Sequence, residues 1–220
     1  MIWQTLRLSL LVVSIATIVI SIAGTALGYL LAKRTFRGKD LLDAVLTLPM
    51  VLPPTVTGYY LILLLGRRGV LGKPLYDLTG WTVTFTWVGA VIAATVIALP
   101  LMIKSARAAI ESVDTDYEIA SYIMGKSEAE TFFRITLPLA GRGILAGVVL
   151  SFARAFGEFG ATLMLAGNIP GKTQTMPLAI YEAVVSGEDE RAKWLALILT
   201  GISVSVVYLT NRLSRPKKRN

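Results

Sequence analysis

Four stretches without a charged residue dominate the sequence. They cover residues 8–32, 44–66, 78–103 and 194–211, and they contain 25, 23, 26 and 18 residues respectively. A helix needs about 20 mostly apolar residues to cross the hydrocarbon core of a bilayer. Each stretch is therefore a candidate membrane-spanning helix, and because the third begins in a polar turn, we expect its helix to cover 82–103.

A fifth candidate span covers 143–166, where small and apolar residues surround two charges, Arg154 and Glu158. The apolar residues of all five regions form continuous blocks and do not alternate with polar residues, as they do in the strands of a membrane barrel. We therefore predict an all-α, polytopic membrane helix bundle with about five transmembrane helices, forming one domain with its core over about 5–213.

The composition excludes several kinds of chemistry. Cysteine and histidine are both absent, so the chain has no disulfide, no thiolate metal site and no imidazole general base. A membrane-embedded enzyme would need several acidic or nucleophilic residues at one depth, and Glu158 is the only carboxylate inside a predicted span. We expect no catalytic residue, no metal site and no cofactor bound by this chain.

The chain carries a net charge of +8. In a soluble protein this excess would suggest a nucleic-acid partner, but in a membrane protein Lys and Arg collect in the cytoplasmic loops. With the N-terminus outside, the cytoplasmic segments hold 14 Lys and Arg residues and the outer segments hold 7. We therefore expect a multi-pass protein of the cell membrane, with its N-terminus outside, its C-terminus in the cytoplasm, and lipid rather than nucleic acid around it.

This orientation leaves one large cytoplasmic segment, residues 104–141. Acidic residues open a helix over about 114–124, as the helix dipole favours, and Gly125 then permits a tight turn. A second, amphipathic helix follows, and we expect it to end at Pro138, before the next span. A charged helix–turn–helix hairpin on the cytoplasmic face is suited to docking another protein.

The hairpin resembles the EAA loop of the ATP-binding-cassette (ABC) importer permeases, which reads E-A-A, three residues, Gly, nine residues, I-x-L-P. Two positions depart from that pattern: Ile119 stands where the motif has Glu, with Glu118 one residue earlier, and Ser121 replaces the second Ala. The resemblance implies a loop that couples this chain to an ATPase. The residues that it assigns to this coupling are Glu118, Ala120, Ser121, Gly125, Phe132, Ile135, Leu137 and Pro138.

Four further segments resemble the molybdate importer permeases. They are 48–61 (LPMVLPPTVTGYYL), 66–72 (GRRGVLG), 153–162 (ARAFGEFGAT) and 167–181 (GNIPGKTQTMPLAIY). The resemblance implies the type I ABC importer permease fold and transport of molybdate by alternating access, with tungstate and sulfate or thiosulfate as alternative substrates. It also implies a second copy of the chain, two ATPase subunits that bind ATP and Mg, and an extracytoplasmic oxyanion-binding protein.

Residues 120–127 also read A-x-x-x-x-G-K-S, a permissive form of the phosphate-binding P-loop. That loop requires a buried strand before it and a helix after it, and the preceding residues, ESVDTDYEI, do not read as a buried strand. We therefore expect ATP to bind to the partner. A channel or carrier that works without ATP is a more distant alternative, which the cytoplasmic hairpin disfavours.

Arg154 and Glu158 lie four residues apart, and so on one face of a helix. Charges inside a membrane are costly and usually face the bundle interior or water. Two interpretations stay open: Arg154 assists an oxyanion along the path while Glu158 limits how tightly it binds, or the two form an ion pair that pins the helix. The hydroxyls of Ser151 and Thr162 are candidate contacts on the same path, although hydroxyls also bond to their own helix.

The outer segment 167–193 is rich in glycine, proline and charge. Loops of this length are often functional. We expect Asn168, Pro170 and Gly171 to contact the binding protein or to close an outer gate, with an ordinary connector as the alternative.

Three prolines, Pro49, Pro53 and Pro54, interrupt the predicted span 44–66. They predict a kink or a local unwinding, which membrane bundles tolerate where neighbouring groups satisfy the freed backbone. Such a segment either serves the structure alone or lines a transport path.

Overall fold

The computed structural model describes residues 2–214, which are almost all helical and contain no strand. Eleven α-helices and one π-helical turn (Phe132–Thr136) follow one another within that range. The helices are α1 (Ile2–Lys33), α2 (Lys39–Val51), α3 (Pro54–Leu65), α4 (Gly72–Thr79), α5 (Trp87–Glu111), α6 (Thr115–Ile123), α7 (Glu128–Thr131), α8 (Leu137–Phe156), α9 (Gly160–Ala166), α10 (Met176–Val185) and α11 (Asp189–Ser214). The predicted all-α class is confirmed.

Four helical segments of the described chain are long and apolar enough to cross a membrane. They are Ile2–Lys33, Trp87–Glu111, Glu128–Phe156 and Asp189–Tyr208. The pair α2 and α3 passes the same test together, but its two helices are bent by 118°. The expectation of about five spans therefore corresponds to four spans and one broken helix pair.

The break between α2 and α3 is made by Leu52, Pro53 and Pro54. A residue that precedes proline is driven into an extended conformation, and Leu52 (φ −73°, ψ 146°) and Pro53 (φ −53°, ψ 135°) are both extended. Pro54 is then the first residue of α3. Proline lacks an N–H, but at this position no hydrogen bond is lost, because the helix has no carbonyl four residues earlier to accept one. The three residues thus produce a complete break in the predicted span 44–66.

The predicted span 143–166 is also not one helix, which corrects that expectation. α8 ends at Phe156, and α9 begins only at Gly160. Glu158 lies in the break between them, where its Oε1 accepts a hydrogen bond from the Ala161 N–H at 2.8 Å. Because the first N–H groups of a helix have no partner inside it, this carboxylate helps a new helix to begin.

The third span is displaced relative to the prediction of 82–103. α5 begins at Trp87, where the Thr86 hydroxyl caps it by accepting a hydrogen bond from the Gly89 N–H at 3.2 Å. The helix then continues through its charged residues to Glu111. Its last two turns therefore carry ionised side chains of the predicted cytoplasmic segment.

Pro138 does not end the second helix of the hairpin, contrary to the expectation. The chain stays helical from Glu128 to Phe156. In an α-helix the proline ring collides with the carbonyl four residues earlier, and its missing N–H removes one hydrogen bond. The π-helical turn at Phe132–Thr136 directly precedes the proline. This wider turn shifts the hydrogen-bonding register, so the helix passes the proline without stopping.

The core of the bundle lies where α1, α5 and α8 pack together. Its fully buried residues include Val13 and Ile20 of α1, Ala94 and Met102 of α5, and Phe156 of α8. Much of the buried surface is contributed by alanine and glycine, which let helix backbones approach one another closely.

Two glycines one helical turn apart bring α1 against α5. A Cβ built on Gly24 would lie 2.5 Å from Cγ of Met102, and one built on Gly28 would lie 2.8 Å from Cβ of Ala106. Both distances are far below van der Waals contact, so neither position accepts a side chain without moving a helix. Close packing of this kind supplies the dispersion energy that holds membrane helices together.

Replacing Gly28 by leucine is expected to push α1 away from α5 and to destabilise the protein by about 1–3 kcal/mol, because the added atoms overpack a full interface. The midpoint of thermal unfolding of the purified protein measures this effect. Gly201→Leu on α11 is the matched control, since no atom of residues 2–214 lies within 4 Å of a Cβ built there. Equal shifts in the two variants would contradict the close packing of α1 on α5.

Candidate functional site

The predicted hairpin is formed by α6 and α7, and local capping fixes both helices. Asp114 caps α6 by accepting a hydrogen bond from the Asp116 N–H at 3.0 Å. Gly125 turns the chain with φ +77°, a left-handed conformation that glycine adopts without strain. Ser127 and Glu130 then form a capping box, in which each side chain accepts from the other residue's backbone N–H at 3.2 Å.

Glu118 lies on the inner face of the hairpin. Its Oε2 accepts from Nζ of Lys33 at 2.6 Å, and its Oε1 accepts from the Thr136 hydroxyl at 2.6 Å. Only 8% of the residue is exposed. A carboxylate that is removed from water needs both a counter-charge and hydrogen bonds, and Glu118 has them. It therefore holds α6 to the end of α1 and to the π-helical turn.

A second, more exposed link joins the hairpin to α1. The Arg34 guanidinium donates to both carboxylate oxygens of Glu128, at 2.5 and 2.7 Å, and the Tyr29 hydroxyl donates to the same carboxylate at 2.9 Å. The Tyr29 ring also packs edge-on against Phe132, with the ring centroids 4.7 Å apart. The last turn of α1 therefore contacts both helices of the hairpin.

The outer surface of the hairpin is apolar. Ile123 is 82% exposed and Met124 is 69% exposed, and both directly precede the Gly125 turn. Ile119 on the same helix and Phe133 on the π-helical turn are exposed as well. Exposed apolar residues in a segment that is otherwise charged mark a contact surface for another protein. The sequence reasoning did not single out Ile123 and Met124, although two large apolar residues beside a polar turn are a readable signal.

The residues assigned to coupling from sequence divide between the two faces of the hairpin. Glu118 and Ser121 are buried, and the Ser121 hydroxyl lies 2.8 Å from that of Thr131. The side chains of Phe132, Ile135 and Leu137 are half-buried. Ala120, Gly125 and Pro138 are exposed.

An ionic cluster that the sequence did not predict ties α2 to α5. Asp43 accepts from Nζ of Lys104 at 2.7 Å and from Arg107 at 3.0 Å, and Arg107 also donates to Glu111 at 2.8 Å. None of the thirteen residues of α2 is buried. α2 is therefore attached to α5 by ion pairs near its N-terminal end, and its C-terminal end leads into the proline break.

Arg154 and Glu158 form an ion pair, with 2.8 Å between Nη1 and Oε2. Thr162 is buried close to Glu158, and both line a small void with Ser9 and Thr175. Ser151 is fully buried, and its hydroxyl has no hydrogen-bond partner among the described residues. The four predicted path residues therefore do not share one surface.

The segment predicted to lie outside begins with an ordered loop, residues 167–175, which precedes α10. Ile169 O accepts from the N–H groups of Thr173 and Gln174 at 2.9 and 3.1 Å. Gln174 donates from Nε2 to Oδ1 of Asn168 at 3.1 Å, and it also contacts Glu182. Of the three residues predicted to contact a partner here, Pro170 and Gly171 are exposed and Asn168 is half-buried.

Residues 24–219 match the family described as binding-protein-dependent transport system inner membrane component. The chain is 44% identical over 214 residues to the molybdenum transport system permease protein ModB of Escherichia coli K12, covering 97% of this chain and 93% of that protein. The ModB of Haemophilus influenzae is 44% identical over 188 residues, covering 85% and 82%. The sulfate transport system permease protein CysW of Synechococcus elongatus is 37% identical over 206 residues, covering 94% and 72%.

Solved structures share the fold at low sequence identity. The methionine ABC transporter MetNI in an inward-facing conformation aligns with a TM-score of 0.71 and 15% identity, covering 99% of this chain and 94% of that one. A bacterial ABC transporter that imports the acidic polysaccharide alginate aligns with a TM-score of 0.78 and 14% identity, covering 98% and 79%. The fold is thus that of the importer permeases. The chain belongs to the family of binding-protein-dependent transport system inner membrane components.

Replacing Glu118 by alanine is expected to free the hairpin from α1, because Lys33 and Thr136 lose their shared partner. Removing one partner of a buried ion pair lowers stability by about 3 kcal/mol. Limited trypsin digestion should then cleave faster after the exposed Lys126 in the hairpin turn. Glu128→Ala is the matched control, since its ion pair is exposed and worth at most about 1 kcal/mol. Equal protection of Lys126 in the Glu118 variant and the wild type would show that the link does not hold the hairpin.

Proposed function

We propose that the chain is the transmembrane permease subunit of an ABC importer that carries molybdate into the cell. The observation that carries the proposal is the similarity to ModB proteins, which reaches 44% identity across 97% of this chain. That coverage includes the hairpin, the broken helix pair and the Arg154–Glu158 segment together. The alignment with ModB therefore includes each of the segments on which the proposal relies.

Sulfate is the second candidate substrate. The similarity to the sulfate permease CysW covers 94% of this chain at 37% identity. Molybdate, tungstate and sulfate are all tetrahedral dianions, so charge and shape alone do not separate them. We assign the choice among them mainly to the oxyanion-binding protein that delivers the substrate from outside, with Pro170 and Gly171 on the exposed outer loop as its contact.

The hairpin is the proposed docking site of the ATPase. Its exposed apolar residues Ile123 and Met124 are the contact, and ATP and Mg bind to the ATPase, which performs the hydrolysis. When two ATPases close on ATP, the hairpin moves, and the ion pairs of Glu118 and Glu128 transmit that movement to α1. Close packing through Gly24 and Gly28 passes it on to α5, which alternates access between the two sides.

A second copy of the chain completes the proposed pore. α2 has no buried residue, and large apolar residues such as Val45, Leu48 and Val51 are exposed along it. Tyr59 and Tyr60 continue this surface on α3. A second copy and lipid together are proposed to cover it.

Cysteine labelling tests the proposed orientation, with the N-terminus outside and the C-terminus inside. The chain has no cysteine of its own, so each introduced thiol is unique. In intact cells an impermeant maleimide should label Gly171→Cys and should label Lys126→Cys only after the membrane is opened. The reverse pattern would overturn the orientation.

Reconstitution tests the proposed transport. Proteoliposomes that contain this chain, its ATPase and its binding protein should accumulate radiolabelled molybdate only when ATP is present on the ATPase side. Uptake of sulfate at a higher kcat/KM than molybdate would favour the second candidate, and uptake without the ATPase would contradict an ABC importer.

Gly125→Pro is expected to abolish uptake and the ATP hydrolysis linked to it. Proline fixes φ near −65°, whereas residue 125 has φ +77°, so the turn that presents the hairpin cannot form. Gly125→Asn is the control, because asparagine tolerates the left-handed conformation. Wild-type uptake in the proline variant, at equal amounts of protein in the membrane, would contradict the docking role.

A further inference from the structure

A cavity of about 200 Å³ opens at the break between α2 and α3. The side chains that line it are apolar except for that of Arg154 on α8. Arg154 is the only charged residue among the lining residues, and the others are Pro49, Met50, Leu52, Pro54, Ile97 and Leu101.

The cavity lies along the charge-free part of α5. Ile97 is ten residues from the first residue of that helix and seven residues from Lys104, where the charged end of the helix begins. At a rise of 1.5 Å per residue, Ile97 is about 15 Å from the first of these limits and about 10 Å from the second. An ionised side chain beside this apolar part of a span is expensive unless it serves a function or is fully paired.

The ion pair of Arg154 is asymmetric. The Glu158 side chain is 1% exposed and that of Arg154 is 38% exposed. Both oxygens of Glu158 are used inside the protein, one by Arg154 and one by the Ala161 N–H. A guanidinium has five N–H donors, and among the described residues the hydrogen bond of Arg154 goes to Glu158 alone, through Nη1. A pair that served only to pin two helices would have no need to leave its cation open to a cavity.

The start of a second helix borders the same space. Pro54, the first residue of α3, lines the cavity, and the start of a helix carries a partial positive charge from the aligned peptide dipoles. Broken helices of membrane transporters present such ends to anionic groups of their substrates.

We propose that Arg154 is an anion-binding site on the transport path, and that it takes a tetrahedral oxyanion into the cavity at the α2–α3 break. Glu158 holds the guanidinium in place and lowers the local net charge to zero. Binding is therefore weak, as a site that must release its ion on each cycle requires. The proposal rests on the proposed function and names where in the chain the substrate is contacted.

Three variants in the reconstituted importer separate this role from a purely structural ion pair. If Arg154 binds the anion, Arg154→Gln and the double variant Arg154→Gln/Glu158→Gln both lose at least about ten-fold in molybdate uptake, equivalent to 1.4 kcal/mol or more. Glu158→Gln keeps the cation and an acceptor for the Ala161 N–H, so it transports at least about ten-fold faster than the double variant.

A structural pair gives the opposite order. Removing both charges relieves the unpaired buried carboxylate that Arg154→Gln leaves behind, so the double variant would transport as well as or better than either single variant. That order, or wild-type uptake by Arg154→Gln, overturns the proposal. Arg142→Gln removes the same charge from an exposed position on the same helix, and it should transport like the wild type.

A binding measurement keeps the test independent of transport and of assembly. Met50 lines the cavity, so Met50→Cys places a unique thiol beside the site. Millimolar molybdate should slow the reaction of this thiol with a small methanethiosulfonate, and an equal concentration of chloride should not. In the Met50→Cys background, the protection should persist with Arg154→Lys, which keeps the positive charge, and disappear with Arg154→Gln. Absence of protection by both molybdate and sulfate overturns the anion site. If the wild-type importer carries sulfate and not molybdate, molybdate is wrong as the proposed substrate. The anion site is then tested by the same protection experiment with sulfate.

Discussion

The carboxylate of Glu118 joins three parts of the chain that are far apart in the sequence. It accepts from Lys33 at the end of α1 and from Thr136 in the π-helical turn, while it belongs to α6 itself. Because the group is removed from water, losing either partner leaves a polar or charged atom without compensation. The hairpin is for this reason an extension of the first span, although 80 residues lie between Lys33 and Asp114, where α6 is capped.

This arrangement sets out a continuous route of contacts from the hairpin to the cavity. α1 carries the hairpin and packs through Gly24 and Gly28 on α5. The C-terminal part of α5 holds Asp43, through which α2 is attached. The far end of α2 is the proline break that borders Arg154. Each of these links is made by identified atoms, so each can be removed by a single substitution.

The sequence predicts those parts of this fold that depend on local properties. Apolar runs long enough to span a bilayer predicted the helices, and four-residue spacing put Arg154 and Glu158 within reach of each other, where the structure has an ion pair. Gly125 predicted the turn because few other residues adopt its backbone conformation. The helix break at Glu158 was missed, since an acceptor that starts a new helix looks the same in sequence as a charge within an old one.

Features that depend on distant contacts were beyond local reasoning. Glu118 reads as an exposed acidic residue of a cytoplasmic helix until Lys33 is brought beside it. Pro138 reads as a helix stop, because nothing in the sequence announces the π-helical turn that accommodates it. The cavity at Arg154 combines residues from four helices, and no pattern in any one of them indicates it.

The contacts of Glu118 imply that the hairpin and the first span move as one body during transport. A reducible cross-linker can test this, because cysteines placed at Lys33 and Glu118 would be the only thiols in the chain. Bridging them with a short bis-methanethiosulfonate replaces the ion pair by a covalent link. If the two parts move together, bridged importers transport at least as fast as the same variant after reduction. Loss of ATP-driven uptake on bridging, restored by reduction, would show instead that the hairpin must move away from the first span.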